Sequence, residues 1–538
     1  YLVGIIYEIA LLLFLFFCPY VLLPPLVLPS SSLHTLLPSH LPFSLSWRGE
    51  QTHEEASNEL CQPFVVQINS RIEKDLAEAN LVNIGRRQNL LERKPKWSIY
   101  VALEALVFVT VLLLIVLSTA VGGQDDHGPC KQKVLDPRPH SVSILEFGAV
   151  GDGKTLNTVA FQNAVFYAKS FADKGGAQLY VPSGKWLSGS FNLTSHLTLF
   201  LERGATIIAS QDYAHWPAVD PLPSYGRGID VPGDNGIIDG QGSVWWDLIR
   251  THSLNYSRPH IIELIGSDDI VISNLTLLNS PAWSIHPVYC SNVRIQNITV
   301  HAPTEFPYTS GIVPDSSEHV CIDNSNISTG HDAIVLKSGW DQYGVAYGKP
   351  TSNVHISGVY LQSSSGAGLA FGSEMSGGIS GITAEHLHII NSTIGIELKT
   401  TRGRGGYMRN IFISDTKLEN IYLGISMTGF SGSHPDDKYD PNAVPVVGNV
   451  TFENVIGANV AIAGNFSGIV DSPFTPIFLS NVTFSTGSES SSSWFCSNVK
   501  GVSEEVFPEP CPDLQNTLSN FSSIFSSLHP SYSYVSSA

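Results

Sequence analysis

Charge is scarce in this sequence, and positive charge is scarcer still. Only 14% of the 538 residues are Asp, Glu, Lys or Arg, with 29 basic side chains against 47 acidic ones. The formal net charge of −18 repels polyanions at long range, so nucleic acid is excluded as a partner unless a local basic cluster overrides the field. Methionine is nearly missing, occurring only at Met375, Met408 and Met427. Beyond about residue 269 the apolar segments are not joined by tight Asn-Gly or Asp-Gly turns, which argues against an antiparallel sandwich. What the chain does have is apolar residues, at 43%, enough for a sizeable core and too many for a mainly disordered protein.

Two long apolar runs lie near the N-terminus. The first begins at Tyr1, and no methionine precedes either run, so residues 1–100 are left as an upstream segment that need not be natural coding sequence. The second, residues 101–120 (VALEALVFVTVLLLIVLSTA), comes after the basic stretch RRQNLLERKPKW. Basic residues ahead of an apolar core direct the downstream chain outward, so this segment is expected to be a signal peptide, cleaved after Ala120, or an uncleaved signal anchor. Glu104 is costly inside a membrane and favours cleavage. Membrane contact is expected only through this segment, and the rest of the chain is expected to be extracellular or in the cell wall.

Ten N-x-S/T sequons lie beyond it, at Asn192, Asn255, Asn274, Asn297, Asn326, Asn391, Asn449, Asn465, Asn481 and Asn520, a density that suits a secreted glycoprotein. Of the five cysteines after Ala120, Cys496 and Cys511 bracket a short loop and are expected to form a disulfide. Cys290 and Cys321 are left as either a pair or buried thiols, with Cys130 unassigned.

From Asp269 onward one pattern keeps returning: DIVISNLTL, NVRIQNITV, HVCIDNSNI, NVHISGVYL, GITAEHLHI, NIFISDTKL and NVTFENVIG, spaced 23 to 39 residues apart. Alternation of period two gives each copy one apolar face, which a single coil cannot bury alone and a stack of coils can. The expectation is an all-β fold, a right-handed parallel β-helix over residues 140–485. Apolar spacing in AFQNAVFYAKSFADKGG, from Ala160 to a Gly pair, predicts a helix that caps the N-terminal end. Periodicity fades after residue 485, so 486–538 are expected to be a C-terminal cap followed by a Ser-rich tail.

Several segments together resemble the pectin-degrading polygalacturonases of glycoside hydrolase family 28: FGAVGDGKTLNTVAFQNAV from Phe147, IDGQGSVWW from Ile238, NSPAWSIHP from Asn279, TSGIVPDS from Thr309 and GSEMSGGI from Gly372. The resemblance implies a cleft on the outside of a β-helix that binds polygalacturonate and hydrolyses it with inversion. It also exposes departures. The family's Asn-Thr-Asp reads Tyr308-Thr309-Ser310, its Asp-Asp pair His331-Asp332, its Gly-His-Gly Gly366-Ala367-Gly368, and its Arg-Ile-Lys Glu397-Leu398-Lys399.

Inverting hydrolysis needs a proton donor and a separate base, about 6.5–9.5 Å apart, to activate water. By the resemblance, His331 occupies the acid's place and Asp332 that of a water-holding carboxylate, so these two are the catalytic candidates. Asp315 and Glu374 are the candidate replacements for the lost carboxylate. Lys399, Arg402 and Arg404, with Arg409 and Tyr407 nearby, form a basic strip suited to uronate carboxylates, and His286 with Trp283 is expected to line the sugar site. No cofactor and no metal set is expected, and the chain is expected to be a monomer. The alternatives to a pectic hydrolase of altered or lost activity are a non-catalytic pectin-binding β-helix and, less favoured, a calcium-dependent pectate lyase, for which no cluster of carboxylates is found near Asp332.

Overall fold

The computed structural model describes residues 130, 137–217, 222–225, 237–253, 257–306, 308–485 and 494–515. The upstream segment 1–100, the apolar run 101–120, the sequons at Asn255 and Asn520 and the tail after residue 515 lie outside the described residues.

Stacking solves the problem that the repeats pose. Among the described residues the strands form one sheet system of 24 strands and one of three, and the ladders run parallel from coil to coil. Ile270, Val293, Val320, Val354, Ile382, Ile411 and Val450 stand in register, one from each repeat that the sequence pattern marks. This is the expected parallel β-helix. Its interior is a single apolar column, with residues such as Ile295, Ile322, Ile356 and Ile413 fully buried.

Bends between strands require left-handed backbone, which asparagine tolerates better than other side chains. Asn274, Asn297, Asn391, Asn420, Asn449, Asn459 and Asn481 all have φ between 44° and 58°. Their amides also pair from coil to coil: Asn459 donates to Asn420 at 2.9 Å, and Asn420 donates to Asn391 at 3.0 Å.

The predicted N-terminal helix forms over Thr158–Lys169, and a short 3-10 turn, Ala172–Lys174, separates it from Gly175. Ala160, Phe161, Ala164, Val165 and Ala168 are its buried face, and Phe161 stacks on Phe191 at 4.6 Å. At the other end the stack continues past residue 485. Strand Trp494–Ser497 pairs with Val446–Ser467, and strand Val499–Phe507 pairs with Phe474–Ser485, both in parallel. The Ser-rich insertion before Trp494 hides this last coil from pattern reading.

Disulfides join Cys130 to Cys321 and Cys496 to Cys511, while Cys290 is a buried free thiol. Cys321 therefore does not pair with Cys290. Its partner lies 191 residues earlier in the chain, a separation that spacing alone cannot reveal.

Candidate active site

Six consecutive coils contribute one strand each to the face that carries the site. These are β1 (Ile262–Ile265), β2 (Trp283–Val288), β3 (Ser310–Ile312), β4 (Ile334–Leu336), β5 (Ala367–Phe371) and β6 (His388–Lys399). Ile285, Ile312, Ile334, Leu369 and Ile396 lie in register and point into the column. The next residue on each strand faces outward, since side chains alternate. That outer row contains Glu263, His286, Val335, Ala370 and Glu397. Val313, Val335, Ala367 and Ala370 form a small apolar floor outside the main core, against which Trp283 packs.

Charged groups frame this floor in three clusters. In the first, Asp332 is 2% exposed and both of its carboxylate oxygens are engaged. Oδ1 accepts from the Ala367 amide at 2.9 Å, and Oδ2 accepts from Lys399 Nζ at 2.8 Å with His331 Nδ1 at 3.3 Å. Lys399 also pairs with Glu397 at 3.0 Å. Burial pushes the Asp332 carboxyl up, but the Lys399 ammonium and His331 outweigh it and hold the group far below the usual carboxylate range. Asp332 is thus a fixed anion and a weak base. It engages His331 through Nδ1, so Nε2 is the imidazole nitrogen left to meet a ligand. Tyr308 packs its ring 5.9 Å from that of His331.

The second cluster surrounds Glu374. Lys337 donates to it, Ser373 Oγ donates at 3.1 Å, and Arg404 Nη2 lies at 4.0 Å. Burial again opposes ionisation, but Lys337 and Arg404 prevail and lower the Glu374 carboxyl to about 2. Arg404 is fully buried: it pairs with Asp341, which in turn holds His434 Nδ1 at 2.6 Å, and its Nε donates to the Ser373 carbonyl at 2.8 Å. This corrects one sequence-based expectation. Arg404 ties three chain segments together and has no surface with which to grip a uronate.

The third cluster centres on His286, whose side chain is 1% exposed. Its Nδ1 meets Glu263 at 3.0 Å, and its Nε2 faces Asp315 at 3.6 Å, an ion-pair distance rather than a hydrogen bond. Burial would lower the imidazole's pKa, but the two carboxylates raise it to about 9. Asp315 is fully buried and also accepts from Tyr225 and, at 3.0 Å, from Ser316. It reaches ligands only through its neighbours, which removes it as a direct replacement carboxylate. Ligand atoms of His260, Glu263 and His286 lie within 4.8 Å of one another, a spacing open to a metal ion. The Trp283 amide donates to His260 Nδ1 at 3.3 Å, and both ring nitrogens of His286 already face Glu263 and Asp315.

A cavity of about 340 Å³ opens beside these clusters. Trp283, His286 and Glu374 line it, and so do Lys337, Trp340 and Arg258, which the sequence did not single out. Asp332, His331 and Lys399 are not in its wall. They sit along the same face, however: Trp283 is in register with Ser310, and the Gly311 amide donates to the Asp332 carbonyl on the next coil at 3.2 Å. Arg402, on the exposed side, pairs with Asp471, and the Arg409 guanidinium lies 4.3 Å from the Tyr407 ring centre. The strip seen in sequence is therefore dispersed, with Lys399 and Arg404 buried and Arg402 and Arg409 occupied separately.

A parallel β-helix with a cleft face of this kind is matched by known proteins. The family described as Glycosyl hydrolases family 28 matches residues 173–507, more than half of the chain. The chain belongs to glycosyl hydrolase family 28. A probable polygalacturonase of Vitis vinifera is 45% identical to this family 28 chain over 435 residues, covering 76% of the chain and 88% of the relative. A probable polygalacturonase of Arabidopsis thaliana is 30% identical, covering 69% and 80%. Among solved structures, the hyperthermoactive exopolygalacturonase of Thermotoga maritima superposes with a TM-score of 0.60 at 25% identity, covering 69% of this chain and 91% of that one.

Proposed function

We propose that this family 28 chain is a secreted, monomeric protein of the cell wall that acts on pectic polysaccharide, with slow hydrolysis of unmodified polygalacturonate by inversion. Family membership and the names of the similar plant proteins support the substrate class. The sequons and two disulfides support an extracellular setting.

One observation carries the view that turnover is slow: the single carboxylate left at the family's catalytic positions, Asp332, has both oxygens committed and lies one coil on from Ser310, whose neighbour Gly311 bonds its carbonyl, rather than from a second acid. In this reading His331 Nε2 supplies the proton to the departing oxygen, and Asp332 fixes the ring that carries it. Water activation falls to a carboxylate held ionised, and Glu374, in the cavity wall, is the candidate for it. A positioned acid or base contributes typically ~10²–10⁴-fold, so two lost carboxylates cost several orders of magnitude. The same locking of Asp332 favours a second reading, binding of pectin without turnover.

Release of reducing ends from polygalacturonate at acidic pH separates the two. The expected result is a rate far below the ~1–10³ s⁻¹ usual for enzymes, lost in Asp332→Asn and raised in the double variant Ser310→Asp, His331→Asp. Fast turnover insensitive to Asp332→Asn would place the chemistry elsewhere, and zero turnover in the wild type leaves the binding reading.

A further inference from the structure

Four lysine and arginine side chains line or border the cavity and its face, and three of them are neutralised by carboxylates of the protein itself. Lys399 has Asp332 and Glu397, Arg404 has Asp341, and Lys337 has Glu374. Arg258 is different. It is 8% exposed and lies in the cavity wall, yet among the described residues no carboxylate pairs with it. Its Nη1 donates to the Pro281 carbonyl at 2.8 Å and its Nη2 to the Tyr308 carbonyl at 2.9 Å. Those bonds fix the plane of the guanidinium and bridge two coils, but carbonyl dipoles carry no net charge. A buried cation without a counter-ion is unfavourable, and a guanidinium retains further N–H donors in a fork that matches a carboxylate.

The surroundings suit a sugar acid. Trp283, Trp340, Leu222 and Ala282 give the cavity apolar walls, while Lys337, His260 and His286 add a few polar groups, the usual make-up of a small-molecule site. Lys337 lies 5.6 Å from the Trp283 ring centre, and the His260 ring stacks on the same indole at 4.7 Å. Burial depresses the Arg258 pKa to about 10, and Tyr308 offsets it only in part.

We infer that Arg258 binds the carboxylate of one hexuronate unit, making this cavity, rather than the strip around Arg402, the place where free-acid pectin is told from its methyl ester. The inference rests on the pectic reading above. It identifies a positioning and specificity residue, because esterification removes the charge that the guanidinium lacks.

Calorimetric binding of trigalacturonate, its methyl ester and neutral galactotriose tests the assignment on the full chain. The wild type is expected to prefer the acid to the ester by about 10- to 100-fold, the range of a charge-assisted pair. Arg258→Gln is expected to bind the acid and the ester within about twofold, with ester affinity kept as the sign that the cavity is intact. Should Arg258→Gln not fold, Arg258→Lys keeps the charge and loses the fork, and its acid preference is expected to drop at least severalfold. Equal wild-type affinity for acid and ester overturns the inference, as it must if a carboxylate of the chain itself fills the site, and so does an undiminished preference in the variant that folds. Reducing-end release measured in parallel keeps the two conclusions apart. Acid preference without turnover sinks the hydrolase reading alone, and turnover without acid preference sinks this inference alone.

Discussion

His286 shows how a single residue in this fold is governed by what surrounds it. In sequence it is one histidine in NSPAWSIHP, and its place beside Trp283 suggests a sugar contact. In the structure both ring nitrogens face carboxylates, Glu263 and Asp315, contributed by other coils. Its pKa rises from 6.5 to about 9 on folding. A raised folded-state pKa contributes stability that is whole below the unfolded value and is lost as pH climbs through the folded one. The protein is therefore expected to lose stability between pH 6.5 and about 9, by at most about 3 kcal/mol from this residue. Thermal melting across that range checks it, with His286→Gln expected to flatten the dependence. An equally steep alkaline loss in His286→Gln would assign the effect to another group. Asp332 and Arg404 teach the same lesson from the opposite side. The sequence motif marks Asp332 as chemical and Arg404 as part of a binding strip, but partner distance and burial make one a locked anion and the other an internal tie.

At the scale of elements, most of the strands were legible and the outer face was not. Each repeat announces itself through alternation of period two, and the register of Ile270, Val293, Val320 and Val354 matches the spacing seen in sequence. The helix Thr158–Lys169 is legible from its apolar spacing in the same way. Pattern reading gives no sign that Val313, Val335 and Ala370 form a second apolar floor outside the column, because alternation predicts polar residues there. Nor does it show Arg258, which sits just ahead of β1 and whose inferred role rests on the absence of a paired carboxylate among the described residues rather than on any motif. The asparagine bends are legible only by composition, and the structure adds that they are ladders. Asn420 combines a φ of 57° with two amide bonds, donating to Asn391 and accepting from Asn459. Asn420→Ala is expected to cost about 1–2 kcal/mol, from the left-handed backbone and the lost amide pairs. Asn420→Gly keeps the backbone freedom and should cost less. Denaturant unfolding of the two variants decides it, and equal losses would show that the hydrogen bonds alone carry the ladder.

At the scale of the whole molecule, a protein of net charge −18 is proposed to bind a polyanion, and the two facts have to be reconciled. The long-range field opposes approach, whereas the contact inferred at Arg258 is short-ranged and shielded from solvent. Salt acts on these differently. Raising ionic strength from about 0.01 M to about 0.15 M shortens the screening length from about 30 Å to about 8 Å, which weakens repulsion between separated charges and leaves a buried pair little affected. Association of trigalacturonate should therefore speed up over that range, while its dissociation rate stays nearly constant. An exposed basic strip behaves in the opposite sense, since its attraction is screened by the same ions. Arg402, already paired with Asp471 at the surface, has little attraction to lose. Stopped-flow measurement of tryptophan fluorescence, with Trp283 and Trp340 in the cavity wall as reporters, gives both rates. Affinity that falls steeply with added salt, through a slower association step, would mean that surface cations rather than the buried guanidinium capture the substrate.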